Sequence, residues 1–254
     1  MEWINEYKKL FFEGKKDEAY KLKYNNFPKK LYKYEVIDKS KINTLINNEL
    51  WFSNPDDFND PFDSCGVCFN ENEVKKFFKD IDVSKLLNSF KQDVKICCFS
   101  EEVNSMPMWT HYAGNHEGMC MEYDFSKIDY KNRFSKYLFP VVYQTERYDI
   151  TNILRDLINN KTEDTAYMLF FMMQVKHISW NYEKEWRIIF KSKELRNNMR
   201  LPIKPSALYL GLNCSSENME YIKKLAHNTI KCPIYKFEKT NNKLFNFKSI
   251  CIDK

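Results

Sequence analysis

Two glutamates separated by one residue are the first feature of this sequence that could do chemistry. Glu183 and Glu185 lie in an aromatic segment, residues 180–187, which an apolar run follows. Because side chains alternate between the two faces of a strand, a strand here would place both carboxylates on one face. Such a pair either serves a site, where like charges raise each other's pKa, or faces water on an edge strand and pairs with Arg187.

A second group of candidates lies near the middle of the chain. Ser100 ends an apolar segment, and residues 106–115 predict a short helix on which Trp109 and Tyr112 are three residues apart. Residues with this spacing share a helix face. The two rings could therefore stack on a planar ligand such as a nicotinamide or a base. The alternative is that both rings fill the core.

The cysteines and histidines favour neither a metal site nor a nucleophile. Cys65 and Cys68 form a C-x-x-C pair, but the other candidate zinc ligands, His111, His116 and Cys120, lie far along the chain without a second such pair. We therefore predict no metal site. A pairing of Cys98 with His111 stays open but is disfavoured, because a cysteine next to another cysteine in a buried strand usually packs in the core.

The composition is that of an ordinary globular protein. The chain has 254 residues and a formal net charge of +5, spread along its length. This charge permits nucleic-acid binding without arguing for it. Neither glycine-rich phosphate-binding motif occurs among its 5 glycines. No apolar run approaches the ~20 residues of a membrane span, and a signal-peptide pattern is missing, so we predict a cytoplasmic protein with no membrane segment.

The predicted helices and strands that would position the candidate site residues do not alternate regularly along the chain. Residues 1–30 predict an N-terminal helical segment, and residues 54–63 predict an ordered loop in which Asn59, Asp60 and Asp63 tie down turns. Further helices are predicted after a cap at Asp38 or Ser40 and over residues 71–92, 151–178 and 217–227. Strands are predicted over residues 31–36, 50–53, 94–100, 118–125, 139–144, 180–190, 207–212, 233–238 and 243–250. We predict one α+β domain over residues 31–254, with a mixed or antiparallel sheet and inserted helices.

Several short motifs together resemble the bacterial domain of unknown function 2971 family. They are Leu31-Tyr-Lys-Tyr, Leu50-Trp-Phe-Ser-x-Pro, Phe58-Asn-Asp-Pro-Phe-Asp63, Cys98-Phe-Ser100, Met108-Trp-x-His-Tyr-Ala113, His116-x-Gly118 and Trp180-x-Tyr-Glu-x-Glu-Trp-Arg187. The resemblance runs from about Leu31 to Phe247. Because that family carries little established biochemistry, the resemblance implies a domain rather than an activity.

A more distant resemblance implies an activity. The order of three segments is similar to the three strand-borne motifs of ADP-ribosyltransferases of the diphtheria-toxin and poly(ADP-ribose) polymerase type. Those segments are residues 31–34, residues 96–112 and Glu183-Lys-Glu185. This chain departs from the first motif, since Lys33 or Tyr34 stands where those enzymes have His or Arg. The resemblance implies an ADP-ribosyltransferase-like split sheet and NAD as the substrate.

The same resemblance implies roles for individual residues. Glu185 would be catalytic, because a fixed carboxylate stabilises the positive charge that develops on the ribose as the nicotinamide bond breaks, and Glu183 would orient or deprotonate the acceptor. Tyr112, also assigned to catalysis, would stack on nicotinamide together with Trp109. The remaining NAD-binding residues would be Lys33, Tyr34, Ser100, His111, His116 and Arg187, with Lys33 or Arg187 at the pyrophosphate.

Three functions follow as hypotheses. The first is ADP-ribosyl transfer to an unknown protein or nucleic-acid acceptor, or NAD hydrolysis, in a bacterial toxin or phage-defence effector. The second is a binding module for nucleic acid or a peptide without chemistry. The third is a metal-dependent nuclease or hydrolase with Glu183, Glu185, Asp60 and Asp63 as ligands. The first requires that Tyr34, Tyr112 and Glu185 converge on one cleft.

Overall fold

A mixed sheet with helices around it forms the described part of the chain. The computed structural model describes residues 3–158, 172–194, 198–241 and 246–253. The helices are α1 (Trp3–Phe12), α2 (Lys16–Asn26), α3 (Lys39–Ile46), α4 (Glu71–Phe77), α5 (Val83–Gln92), α6 (Met106–Tyr112), α7 (Arg133–Lys136), α8 (Thr151–Ile158) and α9 (Ser216–Leu225). In the described ranges, no helix is long and apolar enough to cross a membrane.

The strands are numbered in chain order. They are β1 (Lys30–Glu35), β2 (Glu49–Trp51), β3 (Val67–Cys68), β4 (Val94–Ser100), β5 (Met119–Asp124), β6 (Leu138–Pro140), β7 (Val142–Gln144), β8 (Tyr148–Asp149), β9 (Val175–His177), β10 (Glu185–Lys191), β11 (Asn198–Arg200), β12 (Ala207–Leu210), β13 (Ile234–Lys239) and β14 (Phe247–Asp253).

Eight of these strands form one sheet, in the order β14-β13-β12-β5-β1-β4-β10-β6. Neighbours run antiparallel except β12 and β13, which are parallel. Short pairs, β2 with β11, β3 with β8 and β7 with β9, lie apart from this sheet. The predicted mixed sheet with inserted helices is confirmed. The described strands make one continuous main sheet, so a split of that sheet is not found in them.

Strand β10 separates the core from the charged part of the molecule. Trp186, Ile188 and Phe190 point to one face and belong to the main hydrophobic core. Glu185 and Arg187 alternate with them and therefore point to the other face. Burial of the aromatic face fixes the register of this strand, because a slip by one residue would place the charges in the core.

The connection from β1 to β2 follows the sequence prediction closely. The Asp38 carboxylate accepts a hydrogen bond from the Lys41 backbone N–H at 2.8 Å and so caps α3. Ile42 and Leu45 are buried, whereas Ile46 is 38% exposed at the last position of the helix. The cap and the two buried side chains place α3 beside the end of β1.

Outside residues 180–190, three predicted elements differ from the structure. The helix predicted over residues 71–92 is broken between α4 and α5, because the Asp82 side chain caps a new helix start. The strand predicted over residues 139–144 is divided: β6 pairs with β10, and β7 pairs with β9. The helix predicted over residues 151–178 ends in the strand β9, where pairing with β7 overrides local propensity. Its residues 159–171, with Leu169 and Phe170, lie outside the described residues.

The N-terminal helices pack against the edge of the main sheet. The Trp3 ring stacks on Trp186 with 6.5 Å between centroids, and the Tyr7 ring meets Phe139 edge to face at 5.8 Å. Lys23 in α2 is 1% exposed, and its Nζ lies 3.5 Å from the Phe139 ring centroid. Aromatic and cation–π contacts therefore join the helical segment predicted at residues 1–30 to the sheet.

Candidate functional site

A cleft on the charged face of β10 brings most of the predicted site residues together. Its cavity volume is about 220 Å³, and its walls come from β1, β4, β10, α6 and the loop before β3. Tyr34, Tyr112 and Glu185 all line it, as the first functional hypothesis requires. The predicted residues Lys33, Ser100, Glu183 and Arg187 line it as well.

The strand register places three of the lining residues at one level of the sheet. Tyr32 in β1 and Glu185 in β10 both lie opposite Ser100, the last residue of β4. The Ser100 hydroxyl donates to the Glu183 carbonyl oxygen at 2.6 Å and accepts from the Glu102 backbone N–H at 3.1 Å. Ser100 therefore holds the segment before β10 in place.

The two glutamates belong to different elements, so the strand predicted from residue 180 is wrong in its first half. Residues Ile178–Glu183 form a 3-10 helix, Lys184 adopts a left-handed φ of +41°, and β10 begins at Glu185. The carboxylates still meet, because Lys176 Nζ lies 2.5 Å from Glu183 and 3.3 Å from Glu185. They are 2% and 6% exposed, so the alternative of a water-facing edge pair is wrong.

Three carboxylates share two cations at the floor of the cleft. Arg187 donates to both oxygens of Asp63, at 2.8 and 2.6 Å, and to both oxygens of Glu185, at 2.7 and 2.9 Å. Lys176 lies within 3.3 Å of Asp63, Glu183 and Glu185. With every group ionised, this cluster carries one negative charge in excess.

The excess charge resides on Glu183. Burial, together with the nearby charge of Glu185, raises the pKa of Glu183 to about 7, although Lys176 opposes the shift. Burial would also raise the pKa of Glu185, but the charges of Arg187 and Lys176 outweigh it and hold this pKa well below its ordinary value. Glu185 is therefore a fixed anion at neutral pH, whereas Glu183 can gain and lose a proton there. This difference favours Glu183 over Glu185 as the acid–base group.

The two aromatic residues of α6 have different surroundings. The Tyr112 hydroxyl donates to Glu183 Oε1 at 2.6 Å, and the residue lines the cleft. Trp109 is fully buried, and its ring packs edge to face against Tyr34 at 5.1 Å and Phe237 at 5.4 Å. The predicted stacking of Trp109 on a ligand is wrong, because its indole fills the core next to the cleft. Tyr34 lines the cleft, and its hydroxyl donates to the Glu102 carbonyl oxygen at 2.6 Å.

Two lysines share one carboxylate elsewhere along the cleft. Lys33 Nζ lies 3.3 Å from Glu35, and Lys41 Nζ lies 2.8 Å from the same side chain. This group therefore carries one positive charge in excess.

The predicted contact of Arg187 with a pyrophosphate is wrong, since its guanidinium is fully buried against carboxylates and the Met173 carbonyl oxygen. The sequence interpretation missed Lys41, for which the only signal is its place in the helix directly after β1.

The predicted histidines lie outside the cleft, so their assignment to NAD binding is not supported. His111 is exposed on α6, with its ring 6.3 Å from that of Tyr182. His116 stacks against Trp109 at 6.4 Å, and its Nε2 lies 3.3 Å from the Thr110 hydroxyl. Neither residue lines the cleft. Burial raises the pKa of Cys98 well above its ordinary value, so its thiol is a poor partner for His111 in nucleophilic catalysis.

The acidic cluster does not have the arrangement of a cation site. Lys176 and Arg187 contact the carboxylates that a metal ion would need. Asp60 instead accepts a hydrogen bond from the Phe62 backbone N–H at 2.9 Å. In the part of the chain that the structure describes, no group of three or more His, Cys, Asp or Glu side chains could hold a metal ion.

Neither Lys176 nor the pairing of Asp63 with Arg187 is predicted from the sequence. Lys176 was placed in the long helix predicted over residues 151–178, where nothing marks it as a cation facing Glu183. Asp63 was assigned to a loop, and it does tie that loop down through Arg187. Asp63 and Arg187 are 124 positions apart in the chain, so no local pattern predicts that they pair.

The comparisons with known proteins find a likeness to a family for which no activity is described. Residues 108–188 match the model of a family described as a protein of unknown function, DUF2971. This match confirms the resemblance for the part of the chain that carries Tyr112, Glu183 and Glu185. No curated protein and no solved structure matched the chain.

Proposed function

We propose that the protein binds NAD in the cleft and breaks the bond between nicotinamide and ribose. ADP-ribose would then pass to a macromolecular acceptor or to water, as expected of a bacterial toxin or phage-defence effector. The observation that carries this proposal is Glu183, a buried carboxylate at the cleft floor whose pKa is about 7 and whose charge the neighbouring cations do not fully balance.

The charges of the cleft match those of NAD. The excess negative charge around Glu183 suits the cationic nicotinamide ring, and the excess positive charge of Lys33, Lys41 and Glu35 suits the anionic pyrophosphate. Phe58 and Tyr112 line the same cleft and offer ring faces to a flat ligand. Both charged groups and the aromatic wall therefore favour a ligand with one cationic and one anionic part.

The register of the main sheet supports an ADP-ribosyltransferase-like arrangement. Those enzymes carry their three NAD-site motifs on strands, and here Tyr32, Ser100 and Glu185 lie at one level of three adjacent strands. The first motif still departs from the expected His or Arg, since Lys33 or Tyr34 stands there in β1.

The proposed reaction uses Glu183 as the group that meets developing charge. When the bond between ribose C1′ and the nicotinamide nitrogen breaks, the electron pair leaves with nicotinamide and neutralises its ring. The positive charge that develops on the ribose is stabilised by the Glu183 carboxylate. An acceptor hydroxyl or water then forms a bond to C1′, and its proton passes to Glu183. Tyr112 orients this carboxylate, and Glu185 holds Lys176 and Arg187 in place.

Labelled NAD incubated with the protein and cell extract tests the proposal. We expect nicotinamide release or transfer of the label, and a loss of about a hundredfold or more in Glu183→Gln. Glu102→Gln is the matched control, because Glu102 pairs with Lys184 on the surface. Absence of both products, together with no effect of NAD on the melting temperature, would overturn the proposal. Salt-dependent binding of RNA or DNA that Glu183→Gln leaves unchanged would instead favour the binding module.

A further inference from the structure

A second cavity lies between α1 and the edge of the main sheet. Its volume is about 190 Å³, and its walls are mainly apolar and aromatic, with Trp3, Tyr7, Phe139 and Phe190 among them. It shares no lining residue with the cleft. An apolar cavity of roughly 150 Å³ is known to admit benzene, so this one has room for an alkyl or aryl group.

The charged side chains in the described lining of this cavity all have the same sign. Lys8, Lys136 and Lys191 line it, and none of its described lining residues is an aspartate or glutamate. A ligand with an apolar body and a negative charge is therefore the one that fits these surroundings.

A buried hydrogen-bond donor in the cavity wall has no acceptor among the described residues. Gln174 lines the cavity and is 4% exposed, and no described residue accepts a hydrogen bond from its Nε2. Buried donors are nearly always paired, and each exception calls for an explanation. A ligand oxygen in this cavity would supply the missing acceptor.

We propose that this cavity binds an apolar carboxylate, an acid whose alkyl chain fills the aromatic interior. Its carboxylate would accept hydrogen bonds from Gln174 Nε2 and from the lysines at the cavity wall. The aromatic walls favour the alkyl chain of this ligand. The lysines and the Gln174 amide favour its charged head group. Because α1 forms one wall, the bound acid would also join the N-terminal helix to the sheet.

Titration calorimetry with octanoate, octan-1-ol and butyrate tests this site. We expect octanoate to bind with a stoichiometry of one, and octan-1-ol to bind about tenfold more weakly because it lacks the charge. Butyrate should bind more weakly still, by about fourfold for each CH₂ group that it lacks. Failure of octanoate to bind at millimolar concentration, or equal binding of octan-1-ol, would overturn the proposal.

Two variants locate the binding. Gln174→Leu should weaken octanoate about fivefold and octan-1-ol by a smaller factor, because the amide N–H binds an ionised carboxylate more strongly than a neutral hydroxyl. Ile4→Trp, at a half-buried cavity position on α1, should abolish binding of both. Unaltered octanoate binding in Ile4→Trp would refute this location. Glu183→Gln should bind octanoate like the wild type, so failure of the NAD proposal and failure of this one are distinguishable.

Discussion

Replacement of Glu183 by glutamine should change how the stability of the protein depends on pH. Glu183 is the carboxylate left with excess charge in a cluster where Arg187 and Lys176 balance Asp63 and Glu185. Glutamine has nearly the same shape and does not titrate. Its amide can donate to the Tyr112 hydroxyl while its oxygen accepts from Lys176, so the change removes the charge and keeps the contacts.

The size of the effect follows from the shift in pKa. The pKa of Glu183 rises from 4.5 to about 7 on folding. Because its folded-state pKa is raised, Glu183 contributes stability that is fully present below pH ~4.5 and is lost as the pH rises through about 7. Each pKa unit corresponds to about 1.4 kcal/mol, so the free energy of unfolding of the wild type loses about 3 kcal/mol over this range through Glu183 alone.

The glutamine variant lacks this loss. Its free energy of unfolding, relative to the wild type, should therefore rise by about 3 kcal/mol between pH ~4.5 and pH ~8. Any constant difference from altered hydrogen bonding cancels, because the comparison is between two pH values. Urea unfolding of both proteins across this range measures the quantity.

Glu185→Gln is the matched control with the opposite sign. The pKa of Glu185 is held low in the folded state, so its contribution is present at neutral pH and lost as the pH falls. Relative to the wild type, this variant should lose stability as the pH rises toward ~4.5 and should then run parallel to it, whereas Glu183→Gln should gain stability between pH ~4.5 and pH ~8. Unfolding free energies of Glu183→Gln and wild type that run parallel between pH ~4.5 and pH ~8 would refute the assignment of the excess charge to Glu183.

Three further substitutions test the surroundings of Glu183. Arg187→Met leaves Asp63 and Glu185 buried without their guanidinium partner, so the free energy of unfolding measured in urea should fall by about 3–5 kcal/mol. A loss below about 1 kcal/mol would contradict the bidentate pairing. Tyr112→Phe removes the hydrogen bond that favours the ionised form of Glu183, so the pKa of Glu183 should rise by about one further unit. Carbon NMR of the labelled carboxyl measures this pKa, and an unchanged value would show that the hydrogen bond is not made. Trp109→Ala should cost about 3–5 kcal/mol of stability because the indole fills the core, and a variant that keeps its stability and loses only NAD binding would restore the stacking role.

Local sequence patterns predict the positions of most strands of the main sheet. Strand β4 is an apolar run with cysteine and phenylalanine, and β5 is similar, so both were predicted nearly to their ends. The cap at Asp38 was also readable, because an aspartate one residue before a helix satisfies the free backbone N–H groups there. The break between α4 and α5 was not, since the same apolar spacing runs through both helices.

Several site residues are readable from local pattern. Ser100 ends an apolar strand-like segment, and Glu183 and Glu185 form the pair separated by one residue. Tyr112 is readable from its place on a predicted helix. The register of Ser100 and Glu185 across β4 and β10 follows from the sheet. Lys176 is not predicted as a site residue, because the apolar spacing predicts a helix over this segment. Tertiary pairing of β9 with β7 makes the segment a strand instead. Trp109 was assigned to ligand stacking because helical spacing alone does not tell the cleft side of α6 from its core side.

The two carboxylates and Tyr112 can be read as candidates from local pattern alone. Which glutamate stays ionised cannot be read in this way. It depends on Arg187, Lys176 and Asp63, which is 124 positions from Arg187 in the chain, meeting the glutamates within about 3 Å in a buried cluster. Charge compensation in a protein interior acts over such short distances that only tertiary structure sets it. Tertiary structure therefore made Glu185 a fixed anion and left the titrating proton on Glu183.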